Sequence, residues 1–190
     1  MLPFLGVYQM SASKIRGKIL MELWAAGKSM TTQELSEKTA LTPSSTMGYL
    51  LGLIKAKYVS VPQTHNYAIT NLGKQALGLP KIDPQLASNI LSSVPVEKAF
   101  YFYYDINNYS GVYANSLQDF VDKLPTVDLK SIEFHVPRKD FELWTRSLGD
   151  VELAKKLGLL RLKNLSGDAL RQSLHETINA RCQELSKLIT

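Results

Sequence analysis

The stretch from residue 31 to residue 58 constrains the fold most, because it predicts two short helices separated by only a few residues. Thr31 and Glu34 have the spacing of a capping box, in which each side chain accepts a hydrogen bond from the other residue's backbone N–H. Thr42 is a favourable N-cap for the second helix, and Pro43 suits its first position, where a backbone N–H has no helical partner. Two short helices joined in this way are typical of a helix-turn-helix.

A β-hairpin is predicted directly after the second helix. Residues 58–61 and residues 67–70 are rich in strand-forming side chains, and the segment between them is polar. A Leu-Gly pair at residues 72–73 then leads into another helix. With a preceding helix at residues 15–24, the pattern resembles the winged helix-turn-helix transcription regulators of archaea and bacteria. These often leave the wing with an aromatic residue, an aliphatic residue, Thr and then Leu-Gly. The resemblance implies that residues 1–80 form a DNA-binding domain.

The positive charge of the chain is confined to the same region. Residues 1–80 carry eight Lys and Arg against three Glu, a net charge of +5, while the fourteen basic and fourteen acidic residues of the remainder cancel. A basic domain beside a neutral one is typical of nucleic-acid binding, because neutralised phosphates release their counterions. The alternative is an ordinary, modest surface charge.

The second helix and the basic residues around it supply the candidate contacts to double-stranded DNA. The residues predicted to lie at the DNA groove are Ser44, Ser45, Thr46 and Tyr49, with His65 in the wing, and those predicted to contact phosphates are Lys14, Arg16, Lys18, Lys55, Lys57 and Lys74. The outward face of the helix has no Arg, Asn or Gln, the side chains that read bases in pairs, so we expect modest sequence specificity. Gly48 and Gly52 would let a phosphate backbone or another protein approach closely. A protein-interaction module or scaffold without direct DNA binding is therefore the alternative function.

Two prolines within residues 79–84 mark the domain boundary. We predict a DNA-binding domain at residues 1–80, a linker with a short helix at residues 81–98, and a small α+β domain at residues 99–190. The last domain is predicted to contain an aromatic strand at residues 99–106, a turn at 107–111, a helix at 116–124, a second strand at 131–136, and helices at 139–147, 150–157 and 168–188. The second strand rests on the alternation of apolar and polar side chains.

One polar cluster in the second domain, His135, Arg138, Asp140 and Trp144, could form a site. A His and a carboxylate at a turn can perform acid–base chemistry. The favoured interpretation is structural, with Asp140 at a helix N-terminus, Arg138 paired with it, and Trp144 in the core. With the upstream aromatic strand, this segment resembles a domain of unknown function in archaea and bacteria, which brings no established activity. The aromatic strand itself either lines a ligand pocket or packs on both faces, and the second interpretation is favoured.

No residue is predicted to be catalytic or to bind a metal or cofactor, and the chain is not expected to be an enzyme. Cys182 is the single cysteine, so an internal disulfide is excluded, and we expect an inert, partly buried thiol. Neither a signal peptide nor an apolar run of about 20 residues is found, which predicts a cytoplasmic protein without a membrane span.

Assembly is predicted from two apolar elements. One is the arm at residues 2–8, and the other is the apolar stripe of the long last helix. The stripe breaks near Arg181 and Cys182, so part of this helix should pack on its own domain. We expect a homodimer formed mainly by the second domain, which could also bind a small-molecule effector.

Overall fold

The computed structural model describes residues 11–190 and has an α+β fold, as the sequence predicts. The chain forms two compact units, one ending at Lys81 and one spanning residues 82–190. Within residues 11–190 there are ten α-helices and two antiparallel sheets of two strands each. The predicted apolar arm at residues 2–8 lies outside the described residues.

Residues 11–81 of the first unit form four helices and one hairpin. Its elements are α1 (Ala12–Ala26), α2 (Thr32–Thr39), α3 (Pro43–Lys55), β1 (Val59–Gln63), β2 (Asn66–Ile69) and α4 (Asn71–Ala76). Met30 adds an isolated antiparallel bridge to Tyr67 of β2, with both backbone hydrogen bonds at 2.9 Å. The hairpin therefore has a short third member contributed by the segment before α2.

Both predicted helix starts are confirmed. The Thr31 hydroxyl oxygen accepts the Glu34 N–H at 3.2 Å, and the Glu34 carboxylate accepts the Thr31 N–H at 2.7 Å. These hydrogen bonds hold the pKa of the Glu34 carboxyl below its usual value. Thr42 caps α3 by accepting the Ser45 N–H at 3.2 Å, and Pro43 is the first helical residue. The two caps determine where α2 and α3 begin, and hence which side of α3 faces the core.

The core of the first unit lies between the three main helices and the hairpin. Its buried apolar side chains are Ile19, Leu20, Leu23, Met30, Leu35, Leu50, Leu53, Val59 and Tyr67. Helix α4 approaches the backbone just before β1 so closely that a Cβ atom at Gly73 would lie 2.3 Å from the Tyr58 carbonyl oxygen. Thr70 starts α4 by accepting the Gly73 N–H at 3.1 Å. Glycine is therefore required at position 73 by contact distance.

The second unit packs a hairpin against six helices. Its elements are α5 (Pro84–Leu91), a 3-10 turn (Val96–Lys98), β3 (Phe100–Asp105), β4 (Asn108–Ala114), α6 (Leu117–Lys123), α7 (Leu129–Arg138), α8 (Asp140–Ser147), α9 (Val151–Arg161) and α10 (Gly167–Ile189). Helix α5 packs against α10, and its Ala87 and Ile90 are fully buried. The segment predicted as a linker thus contributes a helix to the core of this unit.

The strand predicted at residues 131–136 is wrong, because this segment lies in the helix α7. Its buried side chains are Ser131, Ile132 and His135, which follow a helical spacing. Asp128 starts the helix by accepting the Lys130 N–H at 2.8 Å. A six-residue window fits both an alternating and a helical pattern of apolar residues. The N-cap at Asp128 favours the helix.

The partner of β3 is instead β4, in the segment where residues 107–111 were predicted to form a turn. The actual turn is shorter, because Asp105 pairs with Asn108 across Ile106 and Asn107. Asn107 has φ 65°, in the left-handed region that Asn adopts more readily than most residues. The inner face of the hairpin carries Phe100 and Phe102, while the outer face carries tyrosines.

Helix α10 is held by a buried ion cluster. The Arg181 guanidinium donates to both oxygens of Asp150, at 2.7 and 3.0 Å, and to Glu152 at 3.0 Å. Asp150, Glu152 and Arg181 are each at most 2% exposed, and Glu184 adds a contact at 2.8 Å. These carboxylates raise the pKa of Arg181 despite its burial. The predicted break in the apolar stripe is thus an ionic contact within the same unit, as expected for a helix that packs on its own domain.

The neighbouring Cys182 is buried, and burial raises the pKa of its thiol to about 11. A thiol in this state is protonated at neutral pH and weakly reactive. Ser166 stands at the N-cap of α10 but makes no side-chain cap. The Glu133 carboxylate of α7 accepts the Gly167 N–H instead, at 3.0 Å.

We predict that Arg181→Met destabilises the second unit by about 3–5 kcal/mol, because it removes the guanidinium that balances the fully buried Asp150 carboxylate. Urea unfolding followed by Trp144 fluorescence, in a Trp24→Phe background, measures this unit alone. Arg146→Met is the control, since Arg146 is exposed on α8. A loss below about 1 kcal/mol for Arg181→Met would contradict the prediction.

Candidate nucleic-acid interface and histidine cluster

The outward face of α3 is a smooth, solvent-exposed stripe. Ser44, Gly48, Leu51 and Lys55 are exposed and follow one side of the helix, and Leu51 is 60% exposed. Gly48 has no atom within 4 Å of the position of an added Cβ, so packing within the described residues gives no reason for glycine there. Glycine in the middle of a helix costs about 0.5–1 kcal/mol relative to alanine. The stripe therefore carries an exposed leucine and a glycine that folding does not require.

Two of the predicted groove residues lie elsewhere than expected. Thr46 is fully buried, and its hydroxyl donates to the Thr42 carbonyl oxygen at 3.0 Å, so it is removed from the candidate interface. Tyr49 is partly buried and packs against the core of the first unit. Met47 also packs there and accepts a hydrogen bond from the Tyr67 hydroxyl. Ser44 and Ser45 remain at the exposed start of α3.

The predicted phosphate-binding residues divide into exposed and partly buried groups. The exposed ones are Lys14, Arg16, Lys55 and Lys57, with His65 exposed at the hairpin turn, and the partly buried ones are Lys18 and Lys74. The Lys18 ammonium donates to the Thr39 carbonyl oxygen at 3.0 Å, which ties α1 to the end of α2. Its role is at least partly structural.

Arg16 and Lys57 are placed next to α3. A Cβ atom at Gly52 would lie 3.7 Å from a terminal nitrogen of Arg16, so this guanidinium lies over the helix. Lys57 follows α3 and has φ 61°, a left-handed conformation in which glycine would be less strained. Together with Lys55, these residues put three cations beside α3.

The second unit brings His135, Arg138 and Asp140 together at the junction of α7 and α8. One oxygen of Asp140 lies 2.7 Å from His135 Nδ1 and accepts Arg138 Nε at 3.0 Å. His135 Nε2 accepts the backbone N–H of Tyr103 at 2.9 Å. Because Nε2 is an acceptor, the imidazole is neutral and carries its proton on Nδ1, where it donates to Asp140.

This geometry favours the structural interpretation of His135. The side chain is 4% exposed, and burial lowers its pKa in spite of the neighbouring Asp140 carboxylate. Both ring nitrogens are occupied by protein partners, so the imidazole has no free lone pair with which to accept a proton from a substrate. Its contacts tie α7 to the backbone of β3 and to the start of α8.

Trp144 does not belong to this polar cluster. Its ring stacks on Phe120 with centroids 5.3 Å apart, and its indole N–H donates to the Lys98 carbonyl oxygen at 3.0 Å. It is a core residue, as the favoured interpretation of the sequence expected.

An open groove of about 410 Å³ lies beside the cluster, between the turn of the β3–β4 hairpin and the end of α7. It is lined by Phe100, Tyr101, Tyr103, Asp105, Ile106, Asn107, Phe134, His135, Arg138 and Asp140. Sequence reasoning missed the hairpin residues of this site, because residues 107–111 were interpreted as a turn. The available signal was Asn107, because asparagine adopts the left-handed conformation of a tight turn more readily than most residues.

Comparison of the chain with family models, curated proteins and solved structures found no match. Among residues 11–190, no group of three or more His, Cys, Asp or Glu side chains is arranged to hold a metal ion. Over the same residues, none of the helices combines the length and apolar character needed to cross a membrane.

We predict a pH dependence of stability that originates at His135. Above pH of about 6.5 the histidine is neutral in both the folded and the unfolded chain, so its contribution to stability is complete. As the pH falls below that value, the unfolded chain binds a proton that the folded state excludes, and stability decreases by up to about 1.4 kcal/mol per pH unit until the lowered folded pKa is reached.

The measurement is the free energy of unfolding of the second unit at pH 7.5 and pH 5.5. His135→Gln should be less stable at pH 7.5 but lose less stability between the two values than the wild-type chain. His65→Gln, at the exposed hairpin turn, should behave like wild type. Equal losses in wild type and His135→Gln would contradict the assignment.

Proposed function

We propose that the first unit is a winged helix-turn-helix that binds double-stranded DNA, and that the chain is a cytoplasmic transcriptional regulator of modest sequence specificity. The order of the elements supports this proposal. Helices α2 and α3 are joined by three residues, and the antiparallel hairpin of β1 and β2 follows α3 directly. Met30 pairs with β2 in the position of a third, short strand. In such domains the second helix of the pair enters the major groove.

The observation that carries the proposal is the outward face of α3. It exposes Ser44, Gly48, Leu51 and Lys55 without a packing partner among residues 11–190 that would account for the glycine. Small side chains allow a helix to approach DNA closely, serine hydroxyls donate to phosphates, and leucine can contact a thymine methyl group. A face of this composition binds DNA mainly through shape and backbone contacts.

Charge supports the same conclusion. Each of the three Glu residues of the first unit has a partner of its own. Glu34 belongs to a cap, Glu22 lies 3.9 Å from Lys38, and Glu37 accepts a hydrogen bond from the Gln33 side chain at 2.8 Å. Arg16, Lys55 and Lys57 lie beside the helix. Cations at the flanks of a groove-binding helix contact the phosphates on either side of it. Because these contacts are independent of sequence, affinity for unrelated duplexes should be similar.

The alternative is a protein-interaction module, and the exposure of Leu51 is the observation that favours it. An exposed leucine on a helix with few charges suits an apolar groove of another protein. The two functions differ in their response to salt, because DNA binding releases counterions and binding through an apolar face does not.

The experiment is fluorescence anisotropy of the full chain with two unrelated 20-base-pair duplexes at several salt concentrations. We expect affinity to fall steeply with salt and to be similar for both duplexes. Lys55→Ala should weaken both complexes and lower the salt slope by about one unit. Lys155→Ala, an exposed lysine of α9, is the matched control and should leave the slope unchanged. Absence of binding at low salt would refute the proposal and favour the alternative.

A second variant separates folding from binding. Gly48→Ala should stabilise the first unit by about 0.5–1 kcal/mol, because alanine is the better helix former and the added methyl group has free space. The same methyl group should weaken DNA binding severalfold if α3 lies in the groove. Thermal unfolding and anisotropy on the same samples measure both effects.

Gly158→Ala in α9 is the control for Gly48→Ala, since its Cβ would meet only a Glu142 side-chain oxygen at 3.8 Å. It should leave DNA affinity unchanged. Gly73→Ala should have the opposite effect on stability, because of its contact with the Tyr58 carbonyl. If Gly48→Ala stabilised the chain without changing DNA affinity, the face of α3 would not be the binding surface.

The proposal includes a homodimer, because one helix-turn-helix reads a single half-site and dimers place two of them about one DNA turn apart. The second unit, residues 82–190, carries 13 basic and 14 acidic residues, a net charge of −1, so charge repulsion between two copies of this unit is weak. Sedimentation velocity at micromolar concentration should give twice the chain mass of 21.2 kDa. A monomer under these conditions would contradict the dimer and leave the DNA experiment unaffected.

A further inference from the structure

The groove beside His135 has the dimensions of a binding site for a small organic molecule. Its volume of about 410 Å³ falls near the lower end of the range for such sites, about 300–1,000 Å³. It lies wholly within the second unit, between the hairpin turn and the end of α7. A ligand of one or two rings would fill it, and a larger one would extend into solvent.

The walls of the groove are mainly flat rings. Tyr101 and Tyr103 line it from the outer face of β3, and Phe134 lines it from α7. All three side chains are only partly buried, so part of each ring is accessible to a ligand. Aromatic walls of this kind favour a ligand with a planar, apolar body, because rings stack in offset or edge-to-face arrangements.

The polar anchor of the groove is Arg138. Its guanidinium carbon lies 4.8 Å from the centre of the Phe134 ring, and its Nε donates to Asp140 at 3.0 Å. The terminal nitrogens of Arg138 have no hydrogen-bond partner among residues 11–190, and the side chain is 49% exposed. A guanidinium held by a ring on one side and a carboxylate on another presents its remaining donors in a fixed direction, which suits a carboxylate.

The two acidic residues of the groove differ in how far their charge is already balanced. One oxygen of Asp140 accepts from both His135 and Arg138. Asp105 is exposed at the end of β3 and accepts only a 3.3 Å hydrogen bond, from the Asn108 side chain. Water screens a carboxylate in that position, so its repulsion of an anion is weak compared with a direct contact to Arg138.

We propose that this groove binds a small aromatic carboxylate, with the ring against Tyr103 and Phe134 and the carboxylate on the terminal nitrogens of Arg138. The proposal is independent of DNA binding by the first unit. It gives the second unit a ligand class that follows from its own side chains: a planar body for the rings and one negative charge for the arginine.

The test compares three probes with the same naphthalene ring, using calorimetric titration of the full chain. The probes are 1-naphthoate, neutral 1-naphthalenemethanol and cationic 1-naphthylmethylammonium. We expect 1-naphthoate to bind at least about tenfold more tightly than the other two, as one charge-assisted hydrogen bond allows. Equal or tighter binding of the cation would overturn the proposal and assign the groove to Asp105. No binding of 1-naphthoate at millimolar concentration would also overturn it.

Variants locate the carboxylate. Arg138→Gln should weaken 1-naphthoate binding by about tenfold, whereas Arg146→Gln, on the exposed side of α8, should leave it unchanged. Asp105→Asn should strengthen it, because a repulsive charge is removed. An unchanged affinity in Arg138→Gln would refute the anchor.

Amide NMR shifts of the wild-type chain provide a measurement that does not depend on the folding of any variant. Addition of 1-naphthoate should shift the signals of Tyr103, Asn107 and Arg138. Shifts confined to other residues would place the probe outside the groove and overturn the proposal.

Discussion

The second unit depends on one buried arginine. Arg181 neutralises Asp150 and Glu152, which are nearly inaccessible to solvent and belong to the start of α9. Apolar contacts are less directional than hydrogen bonds between charged groups, so they restrict the position of a long helix such as α10 less sharply. An ion cluster with four short hydrogen bonds permits one position only, because any shift leaves a buried charge unpaired. The position of α10 in turn orders α5, α6 and α7, which pack along it.

The first unit achieves a unique arrangement by other means. Here the determinants are caps and contact distances, with Thr31 and Thr42 starting the two helices and Gly73 permitting α4 to reach Tyr58. These caps and this close contact lie at the ends and on the inner faces of the helices. The outer face of α3 takes no part in them, and its glycine reduces helix stability. A surface that lowers stability and has no role in folding is where a function is expected to be found.

Much of this architecture could be predicted from local chemistry. Caps are read from two or three neighbouring residues, so the starts of α2, α3 and α6 were predicted correctly. The segment of α7 was not, because Ser131, Ile132 and His135 become the inner side of a helix only through the cap at Asp128 and the packing on β3. Of the two strands predicted in the second unit, the first is the strand β3 and the second lies in the helix α7. The true partner of β3 was hidden in a segment rich in turn residues.

The candidate sites show the same limit. The sequence placed His135, Arg138 and Asp140 together because they are close along the chain, and the structure brings them together. The groove also needs Tyr103, Asp105 and Asn107, about thirty residues away, and such contacts between distant segments depend on the tertiary fold. Thr46 was assigned to the DNA groove but lies on the core side of α3 with Leu50 and Leu53, where its hydroxyl bonds to the Thr42 carbonyl oxygen.

Asp140 connects the solvent to the backbone of a strand. The surface guanidinium of Arg138 and the buried amide of Tyr103 are three hydrogen bonds apart, through Asp140 and the His135 ring. The imidazole of His135 is the middle group of this chain of hydrogen bonds. Its Nε2 accepts the Tyr103 N–H because the proton of the neutral ring is on Nδ1. Asp140 holds this proton on Nδ1, because the oxygen that accepts from Arg138 also accepts from the imidazole. The exposed edge of the second unit is therefore joined to the backbone of β3 through a single ring tautomer.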